Sequence, residues 1–566
     1  MWRRALRAIA VACSAAALSS ATPAPPAVDV VLRPVVENGG FAAVDVAVTF
    51  NGEADGETVL RLPDGWAGEA DLWKALGDLR VDGAQVRAGE GPGQRILRHA
   101  PGARITAHYR VRQETRGAPA AGERNPYRAL VQPKWFHFIG ETVVALPEGV
   151  DMRAPARLRA EALPPGAIFA SDAQHAGLQV HDLVESVMVG GDFRIIDAGG
   201  GLRIALRGAW PFDDAAWRAQ LARIGADQRT YWGARSENYL VTVLPITGGP
   251  EQISAGGTGR GDGFAFFATA NAPMPMITGI LSHEMMHTWI PGRIGGLPAK
   301  DEAADYWLSE GFTDWASWRV NVRGGVWTPE DFAAAFNRSV EAYDLSPVRT
   351  APNMRIVQDF WRDGALQKLP YQRGMLIAAL WDYRLRMASR GARDLDDVLL
   401  RMQRGAVRRP DVSAVQMLPE AMRRVAGVEI AVDRTTLVAE GQAVELPRDL
   451  YAPCGDVIAE QKALWVRGFD FQATLRAGQT VTGVIEGGAA WRAGLRNGMR
   501  LVAWHEHSDA LDASVPVTAG VMDNGIRREI TWMPTDGRTH TVRRLVLRSG
   551  FDRAACTRLL AGLPPA

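Results

Sequence analysis

The sequence predicts a multidomain α+β protein. Its 566 residues are too many for one hydrophobic core, and the length suggests roughly three or four domains. Short alternating or β-branched runs such as "FAAVDVAVTF" and "ARITAHYRVR" fill residues 27–205 and indicate a β-rich N-terminal domain. Helical spacing dominates residues 206–450, and strand patterns return in residues 451–557. This order gives three domains behind a short leader.

The leader, residues 1–26, has the pattern of a secretory signal peptide. Arg3, Arg4 and Arg7 precede an Ala-rich apolar run, and small residues lead into a Pro-rich stretch. The apolar run is too short to span a bilayer, and no later segment has the roughly eighteen apolar residues of a transmembrane helix. We therefore expect an exported protein, periplasmic or secreted. Cys13 offers a site for lipid attachment, but the residues before it form a poor lipobox.

Composition argues against one class of partner. Lys and Arg number 64 against 63 Asp and Glu, 47% of the residues are hydrophobic, and no basic stripe is present. These values are ordinary for a globular protein and differ from those of nucleic-acid-binding domains. Nucleic acid is therefore not an expected partner.

The segment "ILSHEMMHTWI", residues 280–290, carries the predicted chemistry. His283 and His287 are four residues apart, so on a helix both imidazoles lie on one face, within reach of a single ion. Glu284 points about 100° round from His283, beside that ion, where it can hold a water molecule. The surrounding apolar residues predict a buried helix, in which polar groups are costly unless a metal or a hydrogen-bond network satisfies them.

A third metal ligand is available in "WLSEGFTDW". Catalytic zinc takes three protein ligands and keeps one position open. Glu310 follows His287 after 22 intervening residues, enough for a loop and a second, antiparallel helix. Asp314 shares the face of Glu310 and can accept a hydrogen bond from a ligand histidine; the alternative is a solvated helix carboxylate. The pattern predicts one Zn²⁺ ion.

Four segments together resemble the glycyl aminopeptidase family of zinc metallopeptidases, part of a clan that holds zinc with two histidines and a glutamate. They are "HEMMHTW", "RIGGLPAKDEAADYWLSEGFTDW", "PYQRGMLIAALWDYRLR" and "RDLDDVLLRMQ", and the resemblance covers roughly residues 210–430. It implies a β-rich N-terminal domain, a thermolysin-like catalytic domain with a helical extension, and a C-terminal PDZ domain. It also implies peptide hydrolysis with Glu284 as general base, and a stabilising role for Tyr371 at the oxyanion of the tetrahedral intermediate.

One departure from the family pattern concerns substrate recognition. Family members carry a Gly-Gly-x-Glu-His segment, whose glutamate helps to hold the free amino terminus of a substrate. Here "ISAGGTGRGDGFAFF" has Gly256 and Gly257 but no Glu-His after them. The glycines still allow close approach of substrate backbone, and "GFAFFA", with Phe264 and Ala265, is predicted as an edge strand that pairs with an extended peptide. We expect an aminopeptidase-like enzyme; an endopeptidase, or a hydrolase of blocked peptides, is the alternative.

The last hundred residues resemble a PDZ domain through "LWVRGFDFQAT" and "GGAAWRAGLRNGMRLVAW". Gly468 and Phe469 resemble its carboxylate-binding loop, which implies a C-terminal peptide as ligand; the alternative is a β domain that only packs on the enzyme. Cys454 and Cys556 flank this module, and an oxidising compartment permits a disulfide between them, with two unrelated buried thiols as the alternative. A catalytically inactive PDZ scaffold is the remaining hypothesis, and the intact set of metal-site residues stands against it.

Overall fold

The computed structural model describes residues 26–564, apart from 123–124, 235–237, 250–251, 260, 299 and 507–511. Nearly all of the predicted signal peptide, including Cys13, lies outside the described residues. Among the described residues, no helix has the length and apolar character needed to cross a membrane. The predicted class is confirmed, because a β-rich N-terminal part is followed by a helical part.

The strands of the N-terminal part pair into three sheets. In chain order they are β1 (Val28–Glu37), β2 (Gly40–Asn51), β3 (Glu57–Arg61), β4 (Leu76–Asp82), β5 (Gln85–Ala88), β6 (Gln94–Arg98), β7 (Arg104–Val111), β8 (Leu130–Gln132), β9 (Trp135–Ile139), β10 (Leu146–Pro147), β11 (Ala156–Ala160), β12 (Ile168–Ser171) and β13 (Val187–Gly191). The short helices α1 (Gly140–Val143) and α2 (Val180–Glu185) lie among them. The sheet orders are β11-β1-β2-β7-β4, β10-β3-β6-β5 and β12-β13-β9-β8. Their shared core includes the fully buried Val30, Leu60 and Phe136.

Local turn chemistry sets the first hairpin. Asn38 and Gly39 join β1 to β2 with φ angles of 50° and 79°, as a two-residue type I′ turn requires. Because that turn fixes the register, Glu37 pairs with Gly40.

A five-stranded sheet forms the centre of the molecule. Its strands are β14 (Arg194–Gly199), β15 (Leu202–Leu206), β16 (Tyr239–Ile246), β17 (Ala255–Thr258) and β18 (Gly263–Thr269), in the order β14-β15-β16-β18-β17. Strands β15, β16 and β18 run parallel, whereas β17 is antiparallel to β18 at the edge. This sheet begins at Arg194, ahead of the boundary predicted at residue 206.

Both faces of the central sheet are covered. Phe264 and Phe266 of β18 join the core beneath the helices, whereas Ala265 and Phe267 join a second core shared with β9 and β13 of the N-terminal part. A strand buried on both faces reads as a continuous apolar run, which explains the sequence "GFAFFAT".

Helices follow and surround the zinc-site candidates. They are α3 (Asp214–Trp232), α4 (Met274–Met286), α5 (Tyr306–Arg323), α6 (Pro329–Leu345), α7 (Asn353–Asp359), α8 (Gly364–Ala388), α9 (Leu395–Arg408), α10 (Ala414–Ala426) and α11 (Ala431–Asp433). Pro275 lies in the first turn of α4, where a missing N–H group costs nothing. Thr328 and Asp331 form a capping box at the start of α6.

The C-terminal part has a long antiparallel pair and a smaller sheet. Its elements are β19 (Gly455–Trp465), α12 (Phe471–Arg476), α13 (Ala489–Arg492), β20 (Arg500–Glu506), β21 (Val517–Asp523), β22 (Ile526–Trp532), β23 (Thr535–Leu547) and α14 (Arg553–Leu560). Strand β19 pairs with β23, and β20-β21-β22 form the smaller sheet. Arg543 of β23 binds Asp344 of α6, and the buried Cys454 and Cys556 are joined by a disulfide.

Candidate active site

Helix α4 brings the two motif histidines together. Its residues Ile277 and Leu281 are fully buried, which fixes the rotation of the helix about its axis. His283 lies in the last turn of α4, and His287 is the residue that ends the helix. Because the two residues are one turn apart, their Nε2 atoms lie 3.0 Å from each other.

Glu310 of α5 completes the group. Its Oε2 atom lies 3.4 Å from Nε2 of His283 and 3.4 Å from Nε2 of His287. A tetrahedral zinc ion with bonds of about 2.0–2.2 Å holds its ligand atoms about 3.3–3.6 Å apart. In the described part of the chain, these three residues form the one group of three or more side chains that could hold a metal ion. The residues present therefore fit zinc.

The other ring nitrogens of the histidines also have partners. Nδ1 of His283 lies 2.8 Å from Oδ1 of Asp314, and Nδ1 of His287 lies 2.9 Å from the main-chain oxygen of Ile290. Burial lowers the pKa of His283, but the carboxylates of Asp314, Glu310 and Glu284 together outweigh burial and raise that pKa well above its ordinary value. When Nδ1 donates to an oxygen, Nε2 presents its lone pair to a metal. Asp314 thus lies against His283 and is not a solvated carboxylate.

Tyr371 of α8 lies over the same group. Its ring stacks on that of His283 with centroids 5.7 Å apart, and its hydroxyl lies close enough to the Glu310 and Glu284 carboxylates to feel their charge. Burial and the carboxylates of Glu310 and Glu284 raise the pKa of Tyr371 well above its ordinary value. The hydroxyl therefore remains protonated and can donate a hydrogen bond.

Glu284 and Glu310 respond differently to burial. For Glu310 burial raises the pKa, but the two histidines outweigh it and hold that pKa well below its ordinary value. For Glu284 burial prevails over the same histidines, and its pKa is raised. Glu310 is thus kept as a carboxylate, as a metal ligand needs, whereas Glu284 has the higher proton affinity of a base.

Strand β17 passes directly over Glu284. A Cβ atom at Gly257 would lie 2.6 Å from Cγ of Glu284, so this close approach requires glycine. The prediction that "GFAFFA" forms the edge strand is wrong, since β18 lies inside the sheet and Phe264 and Ala265 are fully buried. The edge strand is β17, which contains the predicted Gly256 and Gly257.

A buried polar network behind α4 was not predicted from the sequence. Nε2 of Gln228 in α3 donates to the main-chain oxygen of Ser282, at 2.7 Å, and Oγ of Ser282 donates to Oδ1 of Asn321 in α5, at 2.9 Å. The three side chains are buried, so the network ties α4 to both neighbouring helices. Ser282 precedes His283. A polar residue in this apolar stretch was the sequence feature that could have indicated the network.

The predicted carboxylate-binding residues Gly468 and Phe469 lie in the loop between β19 and α12. Gly468 adopts a φ of 91°, and a Cβ atom there would lie 2.7 Å from Cβ of Ala490. Phe469 is buried against Phe471 and Trp504. Helix α12 begins directly after Asp470, whose side chain caps it, so no extended strand follows the loop.

A family model described as M61 glycyl aminopeptidase matches residues 276–368. The matched region contains the three zinc-ligand candidates and Glu284, and it ends before Tyr371. No curated protein sequence matches the chain.

Several solved structures are similar to this chain. The aminopeptidase N family protein from Idiomarina loihiensis is 16% identical, with a TM-score of 0.67, over 94% of this chain and 100% of that chain. An M1 zinc metallopeptidase from Deinococcus radiodurans is 17% identical, with a TM-score of 0.45, over 74% of this chain and 94% of that chain. Yeast LTA4 hydrolase is 14% identical, with a TM-score of 0.43, over 74% of this chain and 68% of that chain.

The first of these structures shows that the Idiomarina protein shares the fold. The family match and the ligand geometry together make this chain a zinc aminopeptidase-like hydrolase that takes a single zinc ion.

Proposed function

We propose that the protein is an exported zinc metallopeptidase that hydrolyses peptide bonds, with aminopeptidase-like action and Glu284 as general base. The observation that supports this most is the convergence of one ligand atom each from His283, His287 and Glu310, with Glu284 beside them. The leader at residues 1–26 supports export.

In the proposed mechanism, zinc and Glu284 have different roles. Zinc at this donor set supplies Lewis acidity, which polarises a peptide carbonyl group and acidifies a water molecule. Glu284 accepts the proton of the attacking water on its carboxylate and delivers it to the departing amine. Burial, which raises the pKa of Glu284, suits a group that must both take and release a proton.

Tyr371 is the proposed donor to the oxyanion. Its ring stacks on that of His283 and its hydroxyl stays protonated, so the hydroxyl can donate to the oxyanion as negative charge develops there. Loss of one such donor commonly costs on the order of a hundredfold in rate.

One observation favours the endopeptidase alternative. Gly259 stands where the family pattern has its amine-binding glutamate, and a Cβ atom there would lie closer than 3.0 Å to Gly263 and Phe264. No side chain fits at this position with the present backbone, so no carboxylate can hold a substrate amine there. Amino-terminal recognition would then need a different group.

Two measurements on the mature full-length chain test the proposal. Metal analysis should find about one zinc per chain. A glycine-led tetrapeptide and its acetylated copy should then be compared for initial rate. Faster cleavage of the free amine supports aminopeptidase-like action, and comparable cleavage of both supports the endopeptidase. Cleavage of neither, with zinc bound, would point to the inactive scaffold.

The C-terminal module, as a PDZ-like unit, is proposed to bind peptide C termini at the loop of Gly468 and Phe469. The requirement for glycine at position 468 supports a loop with a constrained backbone, as carboxylate binding by main-chain N–H groups would need. The edge strands β20 and β22 of the smaller sheet are places where a peptide strand could add. A peptide with a free carboxylate should bind more tightly than its amide if the proposal holds.

A further inference from the structure

The two glycines of the edge strand β17 face opposite sides of the central sheet. A Cβ atom at Gly257 would lie 2.6 Å from Cγ of Glu284, whereas a Cβ atom at Gly256 would lie 3.3 Å from the hydroxyl oxygen of Tyr127. Successive residues of a strand point to opposite faces. Glu284 and the Tyr127 hydroxyl therefore flank the same short strand from its two sides.

Tyr127 comes from the N-terminal part, which contacts the central sheet near this strand. The main-chain N–H group of Ala121 donates to the oxygen of Thr247 at 2.7 Å, and that of Thr247 donates to the oxygen of Pro119 at 2.9 Å. The ring of Tyr127 packs edge-on against Phe267 of β18, with centroids 6.2 Å apart. These contacts hold the half-buried phenol in place over β17.

Strand β17 has one strand neighbour among the described residues, β18. A peptide that adds to its other edge would alternate its side chains between the two faces. If one substrate residue faces Glu284 and the zinc ligands, the next residue along the peptide faces Tyr127.

We propose that Tyr127 is a substrate-binding residue that holds the peptide along β17 from the face opposite Glu284. Its hydroxyl hydrogen-bonds the bound peptide, and its ring packs against the side chain that flanks the residue at the catalytic group. Because the ring lies beside Phe267, that flanking side chain is preferred when it is apolar or aromatic. This inference rests on the proposed peptidase function and assigns the N-terminal part a share in selectivity.

Glycine at position 256 is consistent with this role. A methyl group there would point at the Tyr127 hydroxyl from 3.3 Å and occupy the space next to it. The Gly256→Ala variant should therefore weaken peptide binding without touching any zinc ligand.

Binding is best measured without turnover, in zinc-loaded Glu284→Gln protein titrated with a phenylalanine-containing tetrapeptide. Adding Tyr127→Phe should raise the dissociation constant about 3- to 10-fold, the worth of one hydrogen bond. In the otherwise wild-type enzyme, the same variant should raise KM by a similar factor and leave kcat within about twofold. Zinc content should not change.

Tyr383→Phe is the matched control. Tyr383 lies on the surface of α8, and its hydroxyl donates to the carboxylate of Asp449. This variant should alter neither binding nor KM. If Tyr127→Phe disturbs zinc content or folding, Gly256→Ala replaces it as the test.

The outcomes separate this inference from the proposed function. Unchanged binding and KM in both Tyr127→Phe and Gly256→Ala would overturn the inference, even if the enzyme cleaves peptides. Tyr127-dependent binding in a chain that cleaves nothing would support the inference and refute the peptidase. A Glu284→Gln protein that binds no peptide, together with a wild-type protein that cleaves none, would overturn both.

Discussion

Gly311 of α5 lies directly against Gly374 of α8. A Cβ atom on either glycine would lie closer than 3.0 Å to backbone atoms of the opposite helix, so the two helices touch through their main chains. Glu310 precedes Gly311, and Tyr371 lies one turn before Gly374. The glycine contact therefore sets the distance between a zinc-ligand candidate and the proposed oxyanion donor.

Replacing Gly374 with alanine should separate these helices. The new methyl group would meet the main-chain oxygen of Trp307, and overpacking of this kind costs about 1–3 kcal/mol of stability. We expect kcat to fall more than KM rises, because Tyr371 moves away from Glu310. Gly364→Ala, in the first turn of α8 with no atom within 4 Å of the added group, is the control and should retain activity. Normal kinetics in Gly374→Ala would contradict this role.

Removal of the Asp314 carboxylate should weaken zinc binding. Oδ1 of Asp314 lies 2.8 Å from Nδ1 of His283 and orients the ring, and loss of such a partner typically costs 10–100-fold in metal affinity. Chelator competition on Asp314→Ala measures this directly. Ser317→Ala serves as the control, because Oγ of Ser317, in the next turn of α5, donates to the main-chain oxygen of Asp314 rather than to its carboxylate. Equal zinc affinity in wild type and Asp314→Ala would rule the role out.

Glu284→Gln should separate catalysis from metal binding. Glutamine keeps the size of the side chain but cannot accept the proton, so turnover should fall by at least about 10²–10⁴-fold. Zinc content should stay near one per chain, since Glu284 lies outside the ligand group. In contrast, Glu310→Gln should lose zinc as well. Wild-type turnover in Glu284→Gln would refute the mechanism.

Local periodicity allowed much of the site to be predicted from the sequence. His283 and His287 share a helix face because they are four residues apart, and that relation needs no knowledge of the rest of the fold. Glu310 required only a loop and a second helix of sufficient length. Tyr371 could not be reached in this way, because its place depends on how α8 packs on α5. Only resemblance to a family indicated it.

The error over the edge strand has a physical cause. Residues 263–269 are strongly apolar and read as a strand, but a continuous apolar run indicates burial on both faces and so an interior position. The true edge strand, "AGGT", has low strand propensity, and pairing with Phe266 and Phe267 stabilises it. Such long-range pairing leaves no local pattern. The contact of Gly311 with Gly374 escaped prediction for the same reason.

The Cys454–Cys556 disulfide should stabilise the C-terminal part. It spans 102 residues and closes a loop around the module, and disulfides typically contribute about 2–4 kcal/mol by restricting the unfolded chain. Reductant should therefore lower the thermal midpoint of the wild-type protein. A Cys454→Ser/Cys556→Ser variant should have the lower thermal midpoint without reductant, and reductant should not lower it further. A response of the double variant to reductant would contradict this assignment.

Asp172 should make stability depend on pH. It is buried beside the loop that leads into β18, and burial raises its pKa to about 7, although the N–H group of Val187 and Arg203 oppose the shift. The folded protein therefore holds this proton up to about pH 7, whereas the unfolded chain releases it near 3.8. The contribution of Asp172 is fully present below about pH 4 and is lost as pH rises to about 7, at up to about 1.4 kcal/mol per pH unit.

The Asp172→Asn variant isolates this effect. Asparagine stays neutral and can still accept the hydrogen bond that Val187 now donates to Oδ1 at 2.9 Å. The variant has no proton to lose at this position. Its free energy of unfolding should therefore increase relative to that of the wild type as pH rises from 4 to 7, and the difference should level off above pH 7. Urea unfolding of both proteins at intervals of half a pH unit measures the difference. A difference that stays constant over this range would show that Asp172 is already ionised in the folded protein.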